Sequence, residues 1–182
     1  MKNILKFIFI IFVTVFFIQA DEIQLAGTLR DFHSSHPDFE LYNSNHNWNF
    51  SGLDQGIVKQ QLGTDKKPVF NAKTKSTSTQ ANFNQWYNDT SGINNSIPYN
   101  LTLTKQGSLY IYDSTVTPIG TTKNTNNGFF PLDNQLFGNE GNPHNYHMTY
   151  ESHSQFTYQG GETFEFSGDD DVWIFINGKL GC

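Results

Sequence analysis

Asp169-Asp170-Asp171 stands directly before Val172-Trp173-Ile174-Phe175-Ile176, the most apolar run beyond residue 20 of this 182-residue chain. Three adjacent carboxylates repel one another, and a bound divalent cation removes that repulsion. Calcium takes about six to eight oxygen ligands, so backbone carbonyls, water, a ligand hydroxyl or a distant loop would have to complete the shell. Successive side chains of an ordinary strand point to opposite faces. Two neighbouring Asp therefore share one ion only where the backbone between them is unusual. The plainer reading is a charged turn that keeps a strand edge soluble and caps nearby amides.

Other chemistry is weakly supported. Paired carboxylates hydrolyse glycosides when about 5–9.5 Å apart with one pKa raised, and adjacent exposed Asp do not suggest that. No Gly-x-Ser-x-Gly elbow occurs. His144 and His147 have a spacing that metals use, but no third ligand or helix is indicated and no His-Glu-x-x-His occurs, so they read as polar loop histidines, as do His33 and His36. The chain does not read as an enzyme. Trp48, Trp86 and Trp173 have rings that stack on sugars; Trp173 reads as core, and the other two stay open between stacking and packing.

The elements that must position these groups are mostly strands. Tyr99, Leu101 and Leu103 alternate with Asn100, Thr102 and Thr104; Leu109 and Ile111 alternate with Tyr110 and Tyr112; Phe164 and Phe166 alternate with Thr163 and Glu165. A period of two rich in Thr and aromatics predicts half-buried strands, and Gln155 to Tyr158 is expected to be another. Gln106-Gly107-Ser108, Asn126-Asn127-Gly128 and Gly160-Gly161 supply turns. Helix is expected only as one turn at Phe83 to Tyr87 and two turns at Leu53 to Gln61. Lys73 to Gln80 has no apolar face and reads as an exposed loop, and Gly138 to His147 as a structured one. The fold class is therefore all-β, an antiparallel sandwich or barrel.

Val172 to Ile176, apolar on both faces, is expected to be a central strand. Asn177-Gly178 then predicts a type I′ hairpin turn, because both central residues of that turn need positive φ. The return strand from Lys179 is short. A buried central strand with so short a partner leaves backbone groups unpaired at about 1–3 kcal/mol each, so the domain is expected to be incomplete at its C-terminus.

The first twenty residues read as a secretory signal peptide. Lys2 and Lys6 give a basic start, Phe7 to Ile18 an apolar run too short to span a bilayer comfortably, and Ala20 a small residue at the cut. Residues 21–182 suit one domain. Losing Lys2 and Lys6 takes the formal charge from −6 to −8. An acidic exported chain with scattered Lys argues against nucleic acid and anionic membrane partners, and no later segment is apolar enough for membrane insertion. The single cysteine, Cys182, permits no internal bridge, which leaves a free thiol or a dimer through Cys182. N-x-Ser/Thr acceptors at Asn49, Asn88, Asn94 and Asn100 predict a glycoprotein and place those segments on the surface.

Ser167 to Leu180, with its Asp pair, short apolar strand and Asn177-Gly178-Lys179-Leu180, resembles the signature of the PA14 domain. Gly27-Thr28-Leu29-Arg30-Asp31-Phe32 with His36-Pro37-Asp38-Phe39-Glu40 resembles the fibro-slime opening. Phe83-Asn84-Gln85-Trp86-Tyr87-Asn88, Phe129-Phe130-Pro131-Leu132-Asp133 and Gln155-Phe156-Thr157-Tyr158 continue the pattern. Together they resemble the prespore-cell-inducing factor family of social amoebae. The resemblance implies a β-sandwich of PA14 type and a secreted, extracellular glycoprotein acting in cell–cell signalling and differentiation. In the adhesin branch of such domains the Asp pair holds calcium, which binds sugar hydroxyls. That role carries over to Asp169 and Asp170, with a cell-surface receptor or glycan as partner; Asp171 falls where many members have Gly. A shortened family copy that folds poorly and lacks activity is the alternative.

Overall fold

The computed structural model describes residues 21–38, 54–120, 128–168 and 171–181. Residues 1–20, read above as a signal peptide, together with Trp48, Asn49, Asn126-Asn127, Asp169, Asp170 and Cys182, lie outside the described residues, as do Phe39, Glu40 and Leu53.

The fold is nearly all-β and antiparallel, consistent with a β-sandwich. Its main sheet contains β1 (Glu22–Phe32), β2 (Asn94–Gln106), β3 (Leu109–Ile111) and β4 (Met148–Ser152) in the order β3-β2-β1-β4. β1 is the hub, pairing with β2 from Glu22↔Thr104 to Phe32↔Asn94 and with β4 from Gly27↔Ser152 to Asp31↔Met148. The alternation expected around residue 100 sets this register. Ile23↔Leu103, Leu25↔Leu101 and Leu29↔Ile97 put the apolar side chains on one face, with Gln24 and Asn100 on the other. Pro98 has no N–H to donate, and it sits where β3 does not reach, on an edge stretch of β2 that tolerates the loss. Gly27 is required sterically: a Cβ there would lie 2.4 Å from the Glu151 carbonyl and 2.5 Å from the Tyr150 ring.

The core gathers at the Phe32 end of β1. Phe32, Ile57, Val58, Phe83, Trp86 and Tyr87 are buried together, with Phe70, Ile93, Trp173, Phe175 and Leu180 packed on them. Helix α1 (Gln80–Gln85) brings Phe83 into this cluster. The Thr79 hydroxyl accepts from the Asn82 N–H and caps the helix start. Trp173 joins the cluster with ring centroids 6.3 Å from Phe83 and 6.1 Å from Trp86, as its core reading requires.

The hairpin β5 (Phe175–Ile176) and β6 (Lys179–Leu180) turns through Asn177 (φ 51°) and Gly178 (φ 77°), the expected positive-φ pair. It docks by its backbone: Leu62 N donates to the Gly178 carbonyl and Leu180 N to Gln60, each at 2.9 Å.

Four element expectations are corrected. Leu53 to Gln61 is not helical over its described part. Residues 57–59 run antiparallel to 69–71 through Lys59 N to Val69 O and Asn71 N to Ile57 O. Val172 to Ile176 is not a central strand, since only Phe175–Ile176 pairs and Ile176 is exposed. Gln155 to Tyr158 and Thr163 to Phe166 lie in no strand, and Phe156, Tyr158, Phe164 and Phe166 are 53–72 % exposed. Alternation marks which side chains share a face; it does not supply a neighbouring strand. Lys73 to Thr79 is a loop as read, although Thr77 is buried within it, while Gln80 already belongs to α1.

Candidate functional site

Asp169 and Asp170 lie outside the described residues. The Tyr87 hydroxyl is pushed up by burial first, then by the Glu151 charge, against the opposing pull of Arg30, and finally by the charge of Asp171. Around Tyr87 lies a charged platform built on β1, β4 and two loops. Arg30 donates Nε to Asp89 Oδ1 at 2.9 Å and Nη1 to Glu151 Oε2 at 2.8 Å. Lys67 Nζ lies 3.3 Å from the same Glu151 oxygen and also donates to the Tyr87 carbonyl. Burial alone would raise the Glu151 carboxyl. The His153 hydrogen bond, the Lys67 charge and Arg30 together hold it below its ordinary value. Two cations, Arg30 and Lys67, and two carboxylates, Asp89 and Glu151, thus meet here, and the cations are engaged by those carboxylates.

A second polar set sits at the other side of β1, where His144 and His147, on the structured loop expected for them, are buried. Asp31 accepts from the Phe137 N–H and from Asn145 Nδ2, each at 2.8 Å. Its carboxyl is raised mainly by burial, which those bonds only partly offset. Asp133 accepts from Asn145 N at 2.8 Å and holds His144 Nδ1 at 2.7 Å. The His144 ring stacks on Phe130 at 3.9 Å and 12°. Glu140 bonds His33 Nδ1 at 2.8 Å and the Ser34 N–H at 2.6 Å, with His147 Nδ1 3.7 Å away. These bonds stitch the 138–147 loop to β1. They do not converge on one point: among the described residues no three His, Cys, Asp or Glu side chains are arranged to hold a metal. Among the described residues nothing hydrogen-bonds His144 Nε2.

Three acceptor asparagines are described, and they differ. Asn88 and Asn100 are exposed, as expected. Asn94 is not on the surface. It is 6 % exposed, with Nδ2 donating to the Gln85 and Asn88 carbonyls and Oδ1 accepting from the Thr90 N–H. The N-x-Ser/Thr pattern could not separate the three, because it carries no information on burial. Trp86 and Trp173 are engaged in the aromatic core rather than presented as stacking platforms.

The chain is similar to several proteins of Dictyostelium discoideum. It is 40 % identical to protein psiQ over 140 residues, which cover 69 % of this chain and 13 % of psiQ. It is 36 % identical to protein psiD over 179 residues, 89 % of this chain and 32 % of psiD. It is 31 % identical to protein psiC over 197 residues, 97 % of this chain and 35 % of psiC. The chain thus spans about a third or less of the length of these curated relatives. No family model and no solved structure matches it.

Proposed function

We propose that this chain, whose 30–40 % identity to Dictyostelium discoideum psi proteins across most of its length supports membership of that family, is an exported glycoprotein that acts between cells. Its task in this reading is recognition rather than catalysis. The domain presents a receptor- or glycan-binding corner at Asp169 and Asp170, and calcium bridges those carboxylates to the ligand. No helix among the described residues is long and apolar enough to cross a membrane.

The observation that carries the reading is the similarity to psi proteins along the domain. Three residues beyond Asp170, Trp173 packs on the aromatic core, and the hairpin that follows has the turn geometry its Asn177-Gly178 pair demands. Calcium needs more oxygens than two Asp carry, so water, backbone and the ligand's own hydroxyls complete the shell.

Calorimetric titration of calcium into the purified exported chain tests this. Saturable binding that disappears in Asp170→Ala, with the fold retained by circular dichroism, supports the calcium-dependent corner. A wild-type chain that is folded and takes up no calcium refutes that part of the reading.

A further inference from the structure

Each acceptor asparagine carries two hydrogens on Nδ2, and N-glycosylation removes one of them. In the transfer, Nδ2 bonds to C1 of the first sugar and the C1–O bond to a lipid-pyrophosphate oligosaccharide donor breaks. The pyrophosphate leaves with the bonding pair, and the Nδ2 proton passes to a base on the transferase. The product is a secondary amide with one N–H. What the folded chain asks of each Nδ2 therefore decides whether a glycan is compatible with it.

Asn88 Nδ2 makes one hydrogen bond, to the Asn84 carbonyl at 2.8 Å, and is exposed. Asn100 Nδ2 makes one, to Gln24 Oε1 at 3.2 Å, and is also exposed. Each keeps a hydrogen for the sugar to replace. Asn94 uses both hydrogens, at 2.8 Å to Gln85 O and 2.9 Å to Asn88 O, while its Oδ1 takes the Thr90 N–H at 2.9 Å. Its side chain ties the end of α1 to the start of β2. A sugar there would remove one of these bonds and would have to fit where almost no surface is open to water.

We infer that Asn88 and Asn100 are the glycan-bearing sites of the described chain, and that Asn94 is a structural residue whose sequon stays empty in the folded protein. Transfer precedes folding, so a chain that receives a glycan on Asn94 cannot close the α1–β2 junction and does not reach the folded, exported pool. The Asn100 glycan stands on the polar face of the main sheet, beside Gln24. It leaves the opposite face, with Ile23, Leu25, Leu101 and Leu103, uncovered.

This inference rests on the extracellular reading, so the test uses a borrowed cleavable leader that delivers the chain to the secretory pathway of a eukaryotic cell whatever its own leader does. The chain collected from the medium is treated with N-glycosidase in heavy-oxygen water and mapped by peptide mass spectrometry. Labelled aspartate at positions 88 and 100 with unlabelled Asn94 is expected. Label at 94, or an unlabelled Asn88 or Asn100, overturns the inference. Ser96→Ala, which destroys the middle sequon but spares the Asn94 amide, leaves the gel mobility of the exported chain unchanged and does not lower its yield; a mobility shift of one glycan overturns the inference as well. Asn94→Asp lowers the exported yield through the lost amide bonds, and an unchanged yield contradicts the structural role.

Discussion

Arg30 Nη1 and Glu151 Oε2 lie 2.8 Å apart, joining the central strand to the sheet edge across 121 residues of sequence, and both side chains are largely shut off from water. Removing one partner of such a pair leaves the other charge buried and unmatched, which costs about 3–5 kcal/mol. Arg30→Leu is expected to lower the unfolding free energy measured by urea denaturation by an amount in that range. Lys67 remains to hold Glu151, so the loss should fall at the lower end.

The same carboxylate sets an acid limit. Glu151 is held below its ordinary value of 4.5 in the folded chain. Its contribution is therefore fully present above 4.5 and is lost as pH falls through the folded value. Denaturation curves from pH 6 downward should show stability declining, and the decline should be shallower in Glu151→Gln.

Asp31 acts in the opposite sense. Burial raises its carboxyl above 3.8, so its proton-linked stability is present below 3.8 and is lost as pH rises through the raised value. Asp31→Asn removes this dependence but supplies only one acceptor oxygen for the Phe137 N–H and Asn145 Nδ2 donors. The variant is expected to be less stable at neutral pH by about 1–3 kcal/mol. Its stability should be flatter with pH above 3.8 than that of the parent.

Gly178 holds φ at 77° in the β5–β6 turn. A β-branched side chain in the left-handed region costs roughly 1–2 kcal/mol. Gly178→Val is expected to loosen the hairpin and shift tryptophan emission to the red, because Trp173, Phe175 and Leu180 all pack on the buried aromatic cluster. Unchanged emission and stability would contradict the docking of the hairpin.

Phe156, Tyr158, Phe164 and Phe166 contribute exposed apolar surface. Replacing all four by Ser should cut the binding of a hydrophobic dye. Each change should alter the unfolding free energy by no more than about 0.5 kcal/mol, the usual range for surface positions. A large loss of stability would mean that these rings are covered in solution.

How far residues revealed their own places depended on the physics involved. Alternation at Tyr99, Leu101 and Leu103 located β2 because one face of a strand must meet apolar neighbours, and the register bears this out. Asn177-Gly178 announced its turn because few other pairs accept positive φ twice. The same alternation at Phe156 to Phe166 misled, since period two describes an extended backbone and says nothing of who lies beside it. The polar network was illegible for a different reason. Asp31, Asp133, His144 and Asn145 are buried by mutual hydrogen bonds between loops and a strand far apart in sequence, and such bonds leave no local period. Asn94 looked like its neighbours Asn88 and Asn100 because a tripeptide motif cannot see the carbonyls that its amide will meet.

The position of β1 also governs when the domain can form. It precedes its two partners, which lie far downstream, with Glu22 meeting Thr104 and Gly27 meeting Ser152. Loop closure must precede the reward of such distant pairing, which makes folding slow. Until residue 152 has been translated, the hub strand has at least one bare backbone edge, open to association with other chains.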